Sequence, residues 1–384
     1  MLLSMDKIEF NIPYTCNESA DNVRYLVEHP EEVNKGSYVQ KCQLWLEEQY
    51  PGYTAYLTSS CTRALEMAAL SMNLQPDDEI ILSPFTYVGV GNAFANYGAK
   101  LVFVDVHPEN MNINADLIES KITSKTRAVI AMHYASVGCE VAQIAEICKK
   151  HQIILIEDNA QSMHAHLQGK LLGTFGDFTC ISFDLLKNIS CNEGGVLLCK
   201  KNWEDAVDVV YENGTNRTAF RKGKVAAYEW MDRGSKFVMS EYTAAVLHPV
   251  LQKSASICKQ RRAIWDELMM KIYSEEILKD YVPNVMFKAQ HNGHIAYLKF
   301  KSVEQRDNVM NYMNAHEVPS FFHYVSMDDS IAGKRFGKAS SMPTNAIFES
   351  NCLLRLPMHN HLSSAQIGKI VATLTEAVSI YPTA

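Results

Sequence analysis

The chain has 384 residues, 47% of them apolar and 21% charged, with a formal net charge of −7; that is enough for one large domain and one smaller one, each with its own core. The acidic balance and the lack of a dense Lys/Arg stripe exclude a nucleic-acid-binding surface, and no run approaches the ~20 apolar residues of a membrane span. From Tyr53 the hydrophobic period alternates between strand and helix. Tyr53 to Leu57 reads as a strand, and Cys61 to Leu74 as a helix with Leu65, Ala68, Ala69 and Met72 on one face. Glu79 to Leu82 is a strand, followed by a helix from Val88 to Tyr97 that Gly98 closes. Lys100 to Val106 reads as a strand, Ala115 to Ile122 as a helix and Ala128 to His133 as a strand. Val141 to His151 is then a helix and Ile153 to Glu157 a strand. Strands separated by helices imply parallel βαβ units in an α/β sheet. Ile181 to Leu198 breaks the rhythm with two strands and no helix between. Asn202 to Glu212 is helical, and a long helix from Ser240 to Ile272 carries Pro249, which predicts a kink. Beyond it come strands at His294 to Phe300 and Phe321 to Tyr324, helices at Val303 to His316 and Ser364 to Ser379, and a loop over 325–350. We place a large domain at residues 1–255 and a small α+β domain at 256–384.

The ten cysteines form no C-x-x-C and no Cys/His pair at zinc spacing, so neither a metal site nor a disulfide framework is expected. Scattered thiols suit a reducing cytoplasm. The first ten residues lack the pattern of a signal peptide.

Four local features carry chemistry. Leu57-Thr58-Ser59-Ser60-Cys61-Thr62 joins a strand to a helix, and N–H groups at a helix N-terminus bind phosphate; by itself the run is equally an N-cap. Tyr87 follows a strand end, where ligands bind in open α/β sheets, and an aromatic there either stacks on a flat ring or packs in the core. Asp158 ends a strand, with Gln161 three residues on; a helix cap and a metal ligand are its alternative readings. Lys187 sits in a turn between two apolar strands and precedes Glu193-Gly194-Gly195. The order is what pyridoxal phosphate (PLP) chemistry requires. A lysine forms a Schiff base with the cofactor aldehyde, and a carboxylate keeps the pyridine nitrogen protonated so that the ring is an electron sink. Ser182 adds a hydroxyl from the strand before the lysine.

The motifs Ser60-Cys61-Thr62-x-Ala64-Leu65-Glu66, Phe103-Val104-Asp105-Val106, Glu157-Asp158-Asn159-Ala160-Gln161, Gly173-x-x-Gly176-Asp177, Ile181-Ser182-Phe183 and Lys187 with Glu193-Gly194-Gly195 stand in this order. Through them the chain resembles the DegT/DnrJ/EryC1/StrS sugar-nucleotide aminotransferases from about residue 8 to the C-terminus. Met111-Asn112-Ile113, His133-Tyr134-Ala135, Gly214-Thr215-Asn216-Arg217 and Phe322-His323-Tyr324 are similar to the dTDP-4-amino-4,6-dideoxygalactose (or -glucose) transaminases within that group. The resemblance implies an aspartate aminotransferase-like, fold type I scaffold: a large mixed-sheet α/β domain and a smaller C-terminal α+β domain. It implies PLP as cofactor, L-glutamate as donor, a dTDP-linked 4-keto-6-deoxy sugar as acceptor, and a homodimer with shared sites.

Carried over, Lys187 would hold the cofactor and Asp158 pair with its ring nitrogen. Gln161 would reach the 3′-oxygen, Tyr87 stack on the ring, and Cys61, Thr62 and Ser182 hold the phosphate. The family completes that site with an Asn from the neighbouring subunit; here Lys236 stands in its place. The usual His of Ser-Phe-His is Asp184 here, and the Gly-Glu-Gly-Gly turn begins with Asn192. Tyr134, Arg217, His323 and Tyr324 are candidates for contact with substrate. The rival expectations are a 3-keto or UDP-linked sugar, a 3-dehydrase, which lacks the lysine, and a non-catalytic binding protein.

Overall fold

The computed structural model describes residues 7–338 and 344–382. Its strands in chain order are β1 (Tyr53–Thr58), β2 (Glu79–Leu82), β3 (Lys100–Phe103), β4 (Thr126–Met132), β5 (Ile154–Asp158), β6 (His166–Leu167), β7 (Lys170–Leu171), β8 (Phe178–Ser182), β9 (Gly195–Lys200), β10 (Tyr297–Lys299), β11 (Gly337–Lys338) and β12 (Leu353–Arg355). Eight of them form one sheet in the order β1-β9-β8-β5-β4-β2-β3-β11. Every pairing is parallel except those of β9, which runs antiparallel to both β1 and β8. The helix-free stretch between β8 and β9 makes that reversal local.

Strands covered on both faces read as continuous apolar runs, and the strand pleat divides these runs between two cores. Ile80, Leu82, Ala128, Ile130 and Ile156 pack with the helices Cys61–Ser71, Val88–Ala95 and Glu204–Tyr211. Ile81, Val129, Ala131 and Leu155 pack on the opposite face with the helix Val141–His151. Beyond β1 and β9, the helix Ser37–Gln49 meets the helix Glu241–Gln252. The C-terminal part has its own core of Trp265, Leu268, Tyr297, Leu298, Leu354, Ile370 and Leu374. That core also takes in Ile8, Phe85, Met132 and Tyr134, which seats the C-terminal part over the ends of the parallel strands. No helix among the described residues is long and apolar enough to cross a membrane.

Several expectations need correction. The long helix is not continuous. It is two helices, Glu241–Gln252 and Ser254–Ser274, divided at Lys253. Proline lacks the N–H that would bond the carbonyl of Ala245, and Asn22 Nδ2 donates to that carbonyl instead, at 3.1 Å. Ala115 to Ile122 is two 3-10 turns, not a helix. Phe321 to Tyr324 makes one bridge, to Arg355, and no strand. The 325–350 segment is not a loop: it holds the helices Ile331–Phe336 and Asn345–Asn351 and supplies β11 to the sheet edge, with residues 339–343 of it outside the described residues. Met327 is buried under the same edge. A lone apolar side chain among polar ones gives no periodic signal.

Candidate active site

The parallel strands β4, β5 and β8 end side by side, at Met132, Asp158 and Ser182, beneath the C-terminal part. Between them lies a cavity of about 810 Å³. Cys61, Thr62, Tyr87, Asp158, Gln161, Ser182, Lys187, His323 and Tyr324, all singled out from sequence, line it.

One wall is the start of the helix Cys61–Ser71. Ser60 is the N-cap, its Oγ accepting the N–H of Arg63 at 3.2 Å. The N–H groups of Cys61 and Thr62, which the helix cannot satisfy, remain for a ligand. Gly195 is what lets this helix end sit against the sheet. A Cβ there would stand 2.4 Å from the N atom of Cys61 and 2.5 Å from the carbonyl carbon of Ser60. Tyr87 lies at the cavity rim, 56% exposed. Gly89 makes room for its ring beside Thr62, because a Cβ at 89 would meet both Tyr87 Cε1 and Thr62 Oγ1 at 2.7 Å.

Asp158 and its neighbour Glu157 point to opposite faces of β5 and meet different fates. Glu157 is fully enclosed: its carboxylate accepts N–H groups from Gly173, Phe175 and Gly176 at 2.8, 2.6 and 2.7 Å and lies 3.1 Å from His133 Nε2. His133 Nδ1 accepts the N–H of Cys139 at 3.2 Å, so the ring's hydrogen is on Nε2 and is donated to Glu157. Among the described residues Asp158 accepts only the N–H of Ala160, at 3.1 Å on Oδ1, which leaves Oδ2 for the cavity that it lines. Burial pushes Asp158 above the ordinary carboxylate range, against the pull of the Ala160 N–H and of Lys187. Burial lowers Lys187 below the ordinary lysine range, against the pull of Asp158, Cys61 and Asp184. Asp184, the residue that departs from the family pattern, thus acts on the lysine by charge; its carbonyl also accepts the Lys187 N–H at 2.9 Å.

Gln161 Oε1 takes the N–H of Ala135 at 2.7 Å, and its Nε2 donates to Tyr324 Oη at 3.1 Å. The first bond depends on a left-handed turn at Ala135 and Ser136, with φ of 51° and 63°, a costly conformation for residues with a Cβ and one that concentrates at functional sites. Tyr324 stacks on His323 with ring centroids 3.7 Å apart. Tyr134 is fully buried behind them, its Oη 2.9 Å from His323 Nδ1; it shapes the wall without lining the cavity. Arg217 and Lys236 do not line it either. Arg217 is exposed, paired with Glu212 at 3.7 Å and set over the Tyr228 ring. Lys236 is exposed, and its backbone bridges that of Glu212.

Among the lining residues that escaped the sequence reading are Arg355 and His294. Arg355 lies over the Phe10 ring, 5.0 Å from its centroid, and its Nε donates to the Phe322 carbonyl at 3.3 Å. No carboxylate among the described residues lies within ion-pair distance of it. The available signal was a single charge inside the apolar run Leu353-Leu354-Arg355-Leu356-Pro357-Met358. The donor set suits PLP: a lysine kept short of protons, a buried carboxylate with an oxygen to spare, a helix N-terminus with free N–H groups where a Cβ would intrude, and an aromatic at the rim.

Comparison with known proteins gives the family. Residues 15–375 match the DegT/DnrJ/EryC1/StrS aminotransferase family. The dTDP-4-dehydro-2,3,6-trideoxy-D-glucose 4-aminotransferase of Saccharopolyspora spinosa is 28% identical over 341 residues, covering 85% of each chain. The GDP-perosamine synthase of Escherichia coli O157:H7 is 28% identical over 284 residues, 73% of this chain and 74% of that one. Among solved structures, Helicobacter pylori PseC, an aminotransferase involved in the biosynthesis of pseudoaminic acid, superimposes with a TM-score of 0.86 at 18% identity, over 98% of this chain and 100% of that one. The lysine between β8 and β9 and the carboxylate at the end of β5 therefore belong to a PLP-dependent enzyme, and the chain is a member of the DegT/DnrJ/EryC1/StrS aminotransferase family.

Proposed function

We propose that this enzyme moves the amino group of L-glutamate to C4 of a nucleotide-linked 4-keto-6-deoxy sugar. The acceptor we assign is dTDP-4-dehydro-6-deoxy-D-glucose, giving a dTDP-4-amino-4,6-dideoxyhexose for surface polysaccharide. The observation that carries the reading is the joint enclosure of Lys187, Asp158 and a helix N-terminus in one cavity large enough for a cofactor and a sugar. A 4-aminotransferase of a dTDP-linked sugar among the relatives supports the position of amination and the nucleotide class.

Bound PLP supplies an electron sink for the carbon that carries the amine. The chain's residues do the rest. Lys187 Nζ takes the Cα proton of glutamate and, in the second half of the cycle, gives a proton to C4 of the sugar. Asp158 holds its negative charge at the ring nitrogen. Cys61 and Thr62 N–H groups and the Ser182 hydroxyl hold the phosphate, Gln161 the 3′-oxygen, and Tyr87 covers the ring face. His323, Tyr324 and Arg355 meet the substrate, with Tyr134 fixing His323 from behind. Lys236 and Arg217, outside the cavity of their own chain, act across a homodimer. Exposed Phe220, Tyr228, Trp230 and Met231 near them support such an interface, and light scattering tests it.

The test of function is an absorbance spectrum of the PLP-loaded enzyme before and after L-glutamate. A band near ~410–430 nm should fall as one near ~330 nm rises, and the correct keto sugar should restore the first. A band that ignores glutamate would refute the donor. Lys187→Ala should abolish turnover.

A further inference from the structure

We propose that His294 is a positioning residue for Lys187: an imidazole locked by Asn188 with Nδ1 protonated, whose bare Nε2 accepts a hydrogen bond from the lysine amine. The inference rests on the reading above, in which Lys187 moves the proton.

The geometry starts at Asn188, the next residue in the chain, whose side chain is buried. Its Nδ2 donates to the Asn292 carbonyl at 3.1 Å. A carbonyl has no hydrogen to give, so turning the amide over would set oxygen against oxygen; its orientation is fixed. Asn188 Oδ1 therefore faces His294 Nδ1, 2.9 Å away, and must receive a hydrogen from it. The proton on the ring is thus assigned to Nδ1, and Nε2 keeps its lone pair. A second proton is disfavoured by burial and then by the charges of Lys187 and Arg261, which push His294 well below the ordinary histidine range.

Nε2 opens on the cavity that Lys187 also lines. Since Nδ1 is turned to Asn188, the Nε2 edge is what His294 presents to the cavity it lines. His294 and Lys187 also share a small void behind that wall, bounded by Asn188, Asn292, Ser182 and Gln161. Both side chains thus border the same two spaces. By contrast, Nε2 of His291 and of His359 is buried without a partner.

The chemistry follows from burial. When the Cα proton of glutamate moves to Lys187 Nζ, the electron pair of the broken C–H bond stays with carbon and the amine becomes a cation in a site that disfavours charge. His294 Nε2 accepts one of the new N–H bonds, keeps its own proton count, and fixes the direction of the remaining hydrogens. A neutral acceptor stabilises that cation without trapping it as a carboxylate would.

Two measurements test this. In cofactor-free protein, nitrogen-15 NMR of the histidine rings, with His294 identified by the signal lost in His294→Leu, should show Nδ1 protonated and Nε2 bare at neutral pH. Asn188→Leu should lose that preference. A protonated Nε2 in the wild type overturns the proposal. In PLP-loaded enzyme, His294→Leu should slow the glutamate half-reaction at saturation on the order of 10- to 100-fold. The deuterium isotope effect at Cα should rise while glutamate affinity stays within about two-fold. His294→Gln, which offers an amide oxygen, should recover most of the rate; a Gln variant no faster than Leu overturns the proposal. So does a Leu variant with a wild-type glutamate step and weakened keto-sugar binding, which makes His294 a substrate contact instead. A wild-type enzyme silent towards glutamate refutes the functional reading, whereas the NMR result stands independently.

Discussion

Replacing Gly195 by alanine places a methyl group against the backbone of the cavity wall. The new Cβ would stand 2.4 Å from Cys61 N, 2.5 Å from the Ser60 carbonyl carbon and 2.7 Å from its oxygen, where ordinary contact begins at 3.4 Å. No side chain is available to swing aside. The helix Cys61–Ser71 must retreat by about 1 Å, and overpacking of this kind costs about 1–3 kcal/mol. If most of that appears as misplacement of the Cys61 and Thr62 N–H groups, PLP affinity falls on the order of 10- to 100-fold, because about 1.4 kcal/mol is tenfold. The assay titrates cofactor-free protein with PLP and follows absorbance, with thermal unfolding alongside. Gly89→Ala is the control. Its Cβ meets only side-chain atoms of Tyr87 and Thr62, and Tyr87 is exposed, so the loss should stay within about three-fold. A Gly195→Ala enzyme that binds PLP like wild type, with an unchanged melting temperature, would refute the reasoning.

Asp158→Asn removes a buried charge that borders the cavity and accepts the Ala160 N–H; steady-state rate should fall about 10²- to 10³-fold, and a smaller loss would mean that the ring nitrogen needs no anion here. Arg355→Gln removes a cation that has no carboxylate partner among the described residues. The KM of an anionic substrate should rise on the order of 10- to 100-fold with PLP affinity unchanged, as expected for loss of a charge-assisted contact; an unchanged KM would assign Arg355 a structural role. The pH dependence of stability reports on Lys187. Burial lowers it from its ordinary value of 10.5, so between its folded value and 10.5 the unfolded chain holds the extra proton and stability rises with pH. Urea unfolding of the cofactor-free enzyme should show that slope, and Lys187→Met should reduce it.

The sheet was legible because its strands are short apolar runs separated by amphipathic helices, and the catalytic end was legible because Asp158 and Lys187 punctuate such runs. Arg355 and His294 were not, because they come from distant segments whose local pattern says only strand. The N-terminal helices Asn17–Glu28 and Ser37–Gln49 also went unread. Their buried residues are few, and their partner, the helix Glu241–Gln252, lies some two hundred residues away in the chain. The Asn22 donor that serves the carbonyl left open by Pro249 is likewise invisible to a local reading. The cap at Ser60 does not exclude a ligand at the N–H groups after it, since the hydroxyl serves the Arg63 N–H and not those of Cys61 and Thr62.

Glu157 and Asp158 are adjacent carboxylates with incompatible surroundings. A strand sends successive side chains to opposite faces, so a slip of β5 by one residue would exchange them. Glu157 would enter the cavity, and Asp158, one methylene shorter, would face the three N–H groups of the 173–176 turn and His133. Apolar side chains alone police such a slip weakly here, since Leu155 and Ile156 suit either core. The carboxylate pair makes it costly on both faces at once, and the same turn that anchors Glu157 thereby proofreads the register that presents Asp158 to the cavity.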